Sequence, residues 1–264
     1  MTDFVVKDFP DMGVAVAGGT AGIGRASARA LLLAGVPRVV ILGRSEQRGQ
    51  DAIAYLQGAA PEADVSFVAA DCRSPQDAAR AVGVAEERLG GIDVLVNSIA
   101  PTEVIPELLL DIAPEQIEPL LAAQAVPPML MTRLVLPLMV QRRGGVIVNV
   151  SSDAAKTATP GESVVGAGTS AIKTFSQAAA LEAKRHGVRI NAITPSLVAG
   201  TEGTDRITAG ETFSAKLFAK VASMAHLGVS TADDQGALVV YIASPAAARL
   251  TGQAISLNGG ISAA

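Results

Sequence analysis

The chain is 264 residues long, 49% apolar and 17% charged, with a formal net charge of −4 at pH 7. That length suits one α/β domain with a sizeable core, and the composition excludes a disordered chain. With no basic run or stripe there is no electrostatic footprint for nucleic acid, and the mild acidity predicts little beyond solubility.

The start, MTDFVVKDFPDMG, lacks the positive n-region and apolar core of a secretory leader, and no later run reaches the ~18 uninterrupted apolar residues of a membrane span. A cytosolic protein with no membrane partner is therefore expected. Cys72 is the one cysteine, so neither an internal disulfide nor a thiolate cluster can form. His186 and His226 have no neighbour at ligand spacing, so no metal is expected.

Short β-branched runs alternate with alanine- and leucine-rich stretches of helical period, the pattern of parallel βαβ units. In chain order, VAVA (14–17) precedes a helix over 23–34, RVVILG (38–43) one over 46–56, and VSFVAA (65–70) one over 75–89. DVLVN (93–97) then precedes a helix over 114–141, VIVNVS (146–151) one over about 169–186, and VRINAI (188–193) the stretch 195–227. A helix over 232–243 and the strand AISL (254–257) close the chain. Runs this apolar suit strands buried on both faces. The stretch 195–227 has no clean period, and loops of that length usually act as lids. Its Leu197, Ile207, Phe213, Leu217, Phe218 and Met224 suit an apolar or acyl small molecule.

After the first strand comes AGGTAGIGRASARALLLAG, with glycines at 18, 19, 22 and 24 opening a helix. Glycines there let the backbone approach a ligand, and the free N–H groups at the helix start attract phosphate. The spacing Gly18, Gly22, Gly24 resembles the short-chain dehydrogenase/reductase family. AADC (Asp71), NSIA (Asn97), VNVSS (Ser152), RINAITPS (Asn191, Pro195) and ASPAAARLTGQAISLNGG match that family in order over nearly the whole chain. The resemblance implies a single domain over 1–264 with a Rossmann-type, doubly wound, seven-stranded parallel sheet, a nicotinamide cofactor, and an oligomer, usually a tetramer. It assigns cofactor contacts to Gly18, Thr20, Gly22, Ile23 and Gly24, places Asp71 and Cys72 beside the adenine, and has Asn97 hold the strand next to the cofactor. At the end of the second strand Gly43 stands where an NAD-preferring protein would carry an acidic residue, and Arg44 follows, able to pair with a 2′-phosphate. NADP(H) is the expected nucleotide.

In that family a tyrosine and a lysine four residues later share a helix face. The lysine charge lowers the phenol pKa from ~10, so the phenol can exchange a proton with the substrate oxygen during hydride transfer. A serine and an asparagine complete the set. Counted from Ser152 and back from LEAKRHGVRIN, the tyrosine position is Val165 and the lysine position Thr169, and the asparagine position is Gln124. Ser152 remains as the remnant. The longer tyrosine spacing of the related enoyl-reductase branch falls on Glu162. Tyr55 and Tyr241 fall on distant helices as packing residues, and Lys173 lies one turn, about 6 Å, beyond Thr169. Lys156, Asp153 and Glu162 follow the serine strand and are read as solvated loop residues within reach of the pocket mouth. Gly166 and Gly168 each cost a helix about 1 kcal/mol, which predicts a helix starting near Thr169 or Ser170.

Three readings follow: a non-catalytic homologue serving as a subunit or as partner of an intact relative, an active NADP(H)-dependent alcohol/ketone oxidoreductase with a non-standard proton donor, and a non-redox lyase on the same fold. The nucleotide is expected to bind weakly, since Thr169 cannot replace the lysine at the ribose. A homo-oligomer, or a hetero-oligomer with an intact homologue, is expected through the helices over 114–141 and SAIKTFSQAAALEA.

Overall fold

A computed structural model describes residues 4–101 and 104–263, so both ends of the 1–264 span lie outside the described residues. The strands are β1 (Gly13–Ala17), β2 (Arg38–Gly43), β3 (Asp64–Ala69), β4 (Val94–Asn97), β5 (Gly145–Val150), β6 (Val188–Ile193), β7 (Val198–Ala199), β8 (Ser230–Thr231) and β9 (Ala254–Ile255). Seven of them form one parallel sheet in the order β3-β2-β1-β4-β5-β6-β9, while β7 and β8 pair separately. The order reverses between β1 and β4, which opens a crevice beyond the C-terminal ends of those two strands.

The helices are α1 (Gly22–Leu33), α2 (Glu46–Ala59), α3 (Pro75–Leu89), α4 (Ile117–Arg142), α5 (Ser163–Ala183), α6 (Glu202–Thr208), α7 (Phe213–Met224) and α8 (Ala232–Ala243). Successive residues of a strand point to opposite faces. Accordingly Ala15 and Ala17 of β1 pack with Ala81 of α3, Met131 of α4 and Ala180 of α5. Val14 and Val16 pack with Leu31 of α1, Leu56 of α2 and Val239 of α8. Two apolar layers thus cover the sheet, and every residue of β1, β4 and β6 is buried.

Two expectations need correction. The helix expected from Thr169 begins at Ser163 and runs through both glycines. Its packing supplies the reason: a Cβ at 166 would stand 3.0 Å from the Ala154 carbonyl, and one at 168 would collide with the Gln124 amide. Close approach outweighs the propensity cost. The stretch 195–227 is not structureless either, since it contains β7, α6 and α7, with Thr201 and Thr212 capping the two helices.

With its leading 3₁₀ turn, α4 is long and apolar enough to cross a membrane by length and composition. Here Met131, Val135 and Met139 bury one side of it in the core. It also carries Pro127, Pro128 and Pro137. The adjacent prolines lack the N–H groups that would bond the carbonyls of Ala123 and Gln124, and so weaken the helix around Gln124.

Candidate functional site

The nucleotide loop lies at the C-terminal end of β1. Gly18 (φ +77) and Gly22 (φ +51) adopt left-handed conformations that side chains avoid. A Cβ on Gly24 would overlap the Gly18 carbonyl, so α1 can start this close to the strand only with glycine there. The N-cap, Ala21, offers no side-chain acceptor, so the first N–H groups of α1 stay free for a phosphate. Thr20 packs against Gly43, Ile23 is half-buried, and Thr201 of the lid stands over Gly22. This cradle fits the pyrophosphate of a dinucleotide.

At the end where the adenine is expected, Arg44 is exposed and makes no hydrogen bond or ion pair among the described residues. The Asp71 carboxylate accepts from the Arg73 guanidinium at 2.8 Å, and this bond holds its pKa below the usual carboxylate range, with the Arg44 charge assisting. Arg73 is a second cation at this end that the sequence reading missed; its two-residue spacing from Asp71 was the available signal. Cys72 is buried, and burial, aided by the Asp71 and Asp77 charges, pushes its thiol up to about 11. Asn97 is also buried. Its amide donates to Asn149 Oδ1 (2.8 Å) and the Pro128 carbonyl (3.3 Å), so it ties β4 to β5 and α4.

At the reactive end, Thr169 is 4% exposed, and its hydroxyl donates back to the Val165 carbonyl at 2.9 Å. Ser152 Oγ accepts from the Ala154 N–H at 3.2 Å and caps a short turn. Gln124 projects from α4 into the gap that Gly168 leaves, and its Oε1 is buried without a partner. The fold therefore sets Gln124 of α4 against the first turns of α5, which carry Val165 and Thr169, while Ser152 caps the short turn after β5.

The remaining candidates disperse. Lys156 donates to Ser256 Oγ at 2.7 Å and so holds the segment after β9 instead of the pocket mouth. Asp153, read as a solvated loop residue, is 6% exposed and accepts from Ser262 Oγ at 2.5 Å, which anchors the C-terminal segment. Lys173 stays half-buried one turn along α5. Tyr55 and Tyr241 are about half exposed on α2 and α8, with Tyr55 stacked under Arg25 at 4.6 Å rather than packed inside. Glu162 stands at the N-cap of α5 beside Gly161, whose missing side chain makes room for Phe213 of the lid. Burial raises its carboxyl pKa, and the nearby Asp153 charge adds to the rise. Leu197 and Phe218 of the lid are buried in the domain, whereas Phe213 and Met224 remain largely exposed.

A family model described as short chain dehydrogenase matches residues 13–212. The chain belongs to that family. It is 28% identical to "Momilactone A synthase" of Oryza sativa subsp. japonica, over 94% of this chain and 88% of that protein. It is 29% identical to human "Dehydrogenase/reductase SDR family member 4", over 93% and 85% respectively. A solved short-chain type dehydrogenase/reductase from Mycobacterium ulcerans superposes with a TM-score of 0.87 at 26% identity, covering 97% of this chain and 91% of the other. Members of the short-chain dehydrogenase family bind NAD(P)(H), and the glycine cradle fits that group.

Proposed function

We propose that this family member keeps an NADP(H)-type site but works in the cytosol as a non-catalytic subunit, in a homo-oligomer or beside a catalytically intact homologue. When bound, the nicotinamide supplies a hydride. The chain's own residues must then supply a proton to the substrate oxygen, and the carrying observation lies there. Val165 has none to give, and the Thr169 hydroxyl is engaged by the Val165 carbonyl. No ammonium stands at residue 169 to hold the ribose or lower a neighbour's pKa. Ser152 can still orient an oxygen, and Phe213 and Met224 offer apolar surface to an acyl or other apolar molecule. Arg44, unpaired and exposed, supports NADP(H) over NAD(H). An open apolar groove of about 560 Å³ along Ile117, Leu121, Ala125 and Val126 of α4 supports the oligomer.

Glu162 favours a second reading. A half-buried carboxyl with a raised pKa retains its proton to higher pH, as a general acid requires. NADPH oxidation by pure protein with a panel of ketones and aldehydes separates the two. The expected result is no useful turnover by wild type and measurable turnover by Val165→Tyr/Thr169→Lys, limited by Gln124. Fast wild-type turnover overturns the proposal, and its loss in Glu162→Gln would establish the second reading. Light scattering, alone and with a co-expressed intact homologue, tests the assembly; a monomer indifferent to that homologue removes the partner role.

A further inference from the structure

The N-terminal edge of the sheet, opposite the nucleotide loop, contains a cavity of about 450 Å³, within the ~300–1,000 Å³ range of small-molecule sites. Its floor is the start of the strands: Met12, Asp93, Val146, Val188 and Arg189. One wall is the N-terminal segment, fixed by the Val5 N–H donating to the Arg143 carbonyl (3.0 Å) and by Lys7 pairing with Asp93 (2.8 Å). Glycines at 144 and 187 let this segment lie close, since a Cβ at 187 would stand 2.8 Å from the Phe4 ring.

The charge on this lining is one-sided. Lys7, Arg142, Lys184, Arg189 and Arg249 face a single carboxylate, Asp93, in a chain whose net charge is −4. Asp93 pairs with Lys7 and accepts from the Gly13 N–H (2.9 Å), and Arg142 pairs with Glu86 outside the cavity. Lys184, Arg189 and Arg249 have no carboxylate partner among the described residues. Arg189 is 8% exposed and donates only to main-chain carbonyls, those of Ile242 (2.7 Å) and Ala243 (3.3 Å) among them. Those carbonyls end α8, whose dipole gives partial compensation. Burial lowers the Arg189 pKa to about 10, so it remains charged at neutral pH. A buried cation without a counter-charge carries a desolvation cost that an anion in the cavity would offset.

We propose that this cavity binds an amphipathic organic anion, a medium-chain carboxylate whose head pairs with the exposed Lys184 and Arg249 beside the buried charge of Arg189, and whose tail lies along Phe4, Val6, Met12 and Val146. Phe4, Val6, Met12, Val146 and Val188 argue for a tail, and three cations without a carboxylate partner argue for an anionic head. The site is remote from the glycine loop and does not depend on the catalytic state of the chain.

Calorimetric titration with decanoate, with decanol and with inorganic phosphate tests the pairing of head and tail. Decanoate is expected to bind, with decanol and phosphate each at least about tenfold weaker. Lys184→Glu/Arg249→Glu, which alters exposed side chains, is expected to weaken decanoate at least about tenfold while leaving the melting temperature near that of wild type. Amide shifts in the wild-type protein should move at 188–190 and 249–251. Equal affinity for decanol, no loss on charge reversal, or shifts at 18–24 or 161–169 instead would each overturn the proposal, and none bears on NADPH turnover.

Discussion

On the proposed reading, Arg44 and Thr169 stand at opposite ends of the nucleotide site, one supplying a charge and the other lacking one. A charge-assisted bond contributes about 1.5–3 kcal/mol when well formed, and Arg44 is exposed, so the lower figure applies. Arg44→Ala is therefore expected to weaken NADPH about tenfold and to leave NADH nearly unchanged. Calorimetry at fixed ionic strength checks this, and an equal loss for both nucleotides would count against a phosphate contact. At Glu162 burial raises the folded-state pKa above 4.5, so ionisation opposes folding. The cost is absent where the carboxyl is protonated in both states, and it grows as pH rises through the folded pKa. Glu162→Gln should accordingly raise the melting temperature relative to wild type at pH 8, by a margin that shrinks towards pH 4.

The contact between α4 and α5 turns on two residues whose meaning the sequence carried only in part. Gln124 could be found by register, as could Val165 and Thr169. What could not be read was that Gly168 exists to admit the Gln124 side chain, because that contact joins residues far apart in sequence. Local propensity counted Gly166 and Gly168 as helix breakers and put the start of α5 six residues late; tertiary packing overrode it. The same limit applied to Asp153 and Lys156, whose partners Ser262 and Ser256 come from the far end of the chain. Gly168→Ala should destabilise by about 1–3 kcal/mol, since the new methyl displaces the Gln124 amide. In a Gln124→Ala background the same substitution should become neutral or stabilising by up to about 1 kcal/mol, from helix propensity. Thermal denaturation of the four proteins measures the coupling, and additive effects would show that the two side chains do not meet.

Across the whole molecule, all seven strands of the sheet were legible, because buried parallel strands announce themselves as unbroken apolar runs and the glycine loop fixes where the first βαβ unit begins. The lid was less legible, since α6 and α7 are short and bury little more than Phe218. Cys72 bears on the molecule in another way. It is the one thiol in the chain, it is 6% exposed, and a pKa near 11 leaves almost no thiolate at pH 8. A buried thiol with so little thiolate is expected to react mainly when the structure around it opens, so the rate of mass gain on alkylation acts as a clock for that opening. A nucleotide that binds only the closed form should slow the clock by a factor of about 1 + [L]/Kd. NADPH at a hundred times its Kd is thus expected to slow modification about a hundredfold, read by intact-mass spectrometry without any catalytic assay. A chain without useful turnover would in this way still report, through one sulfur atom, how firmly it holds its cofactor.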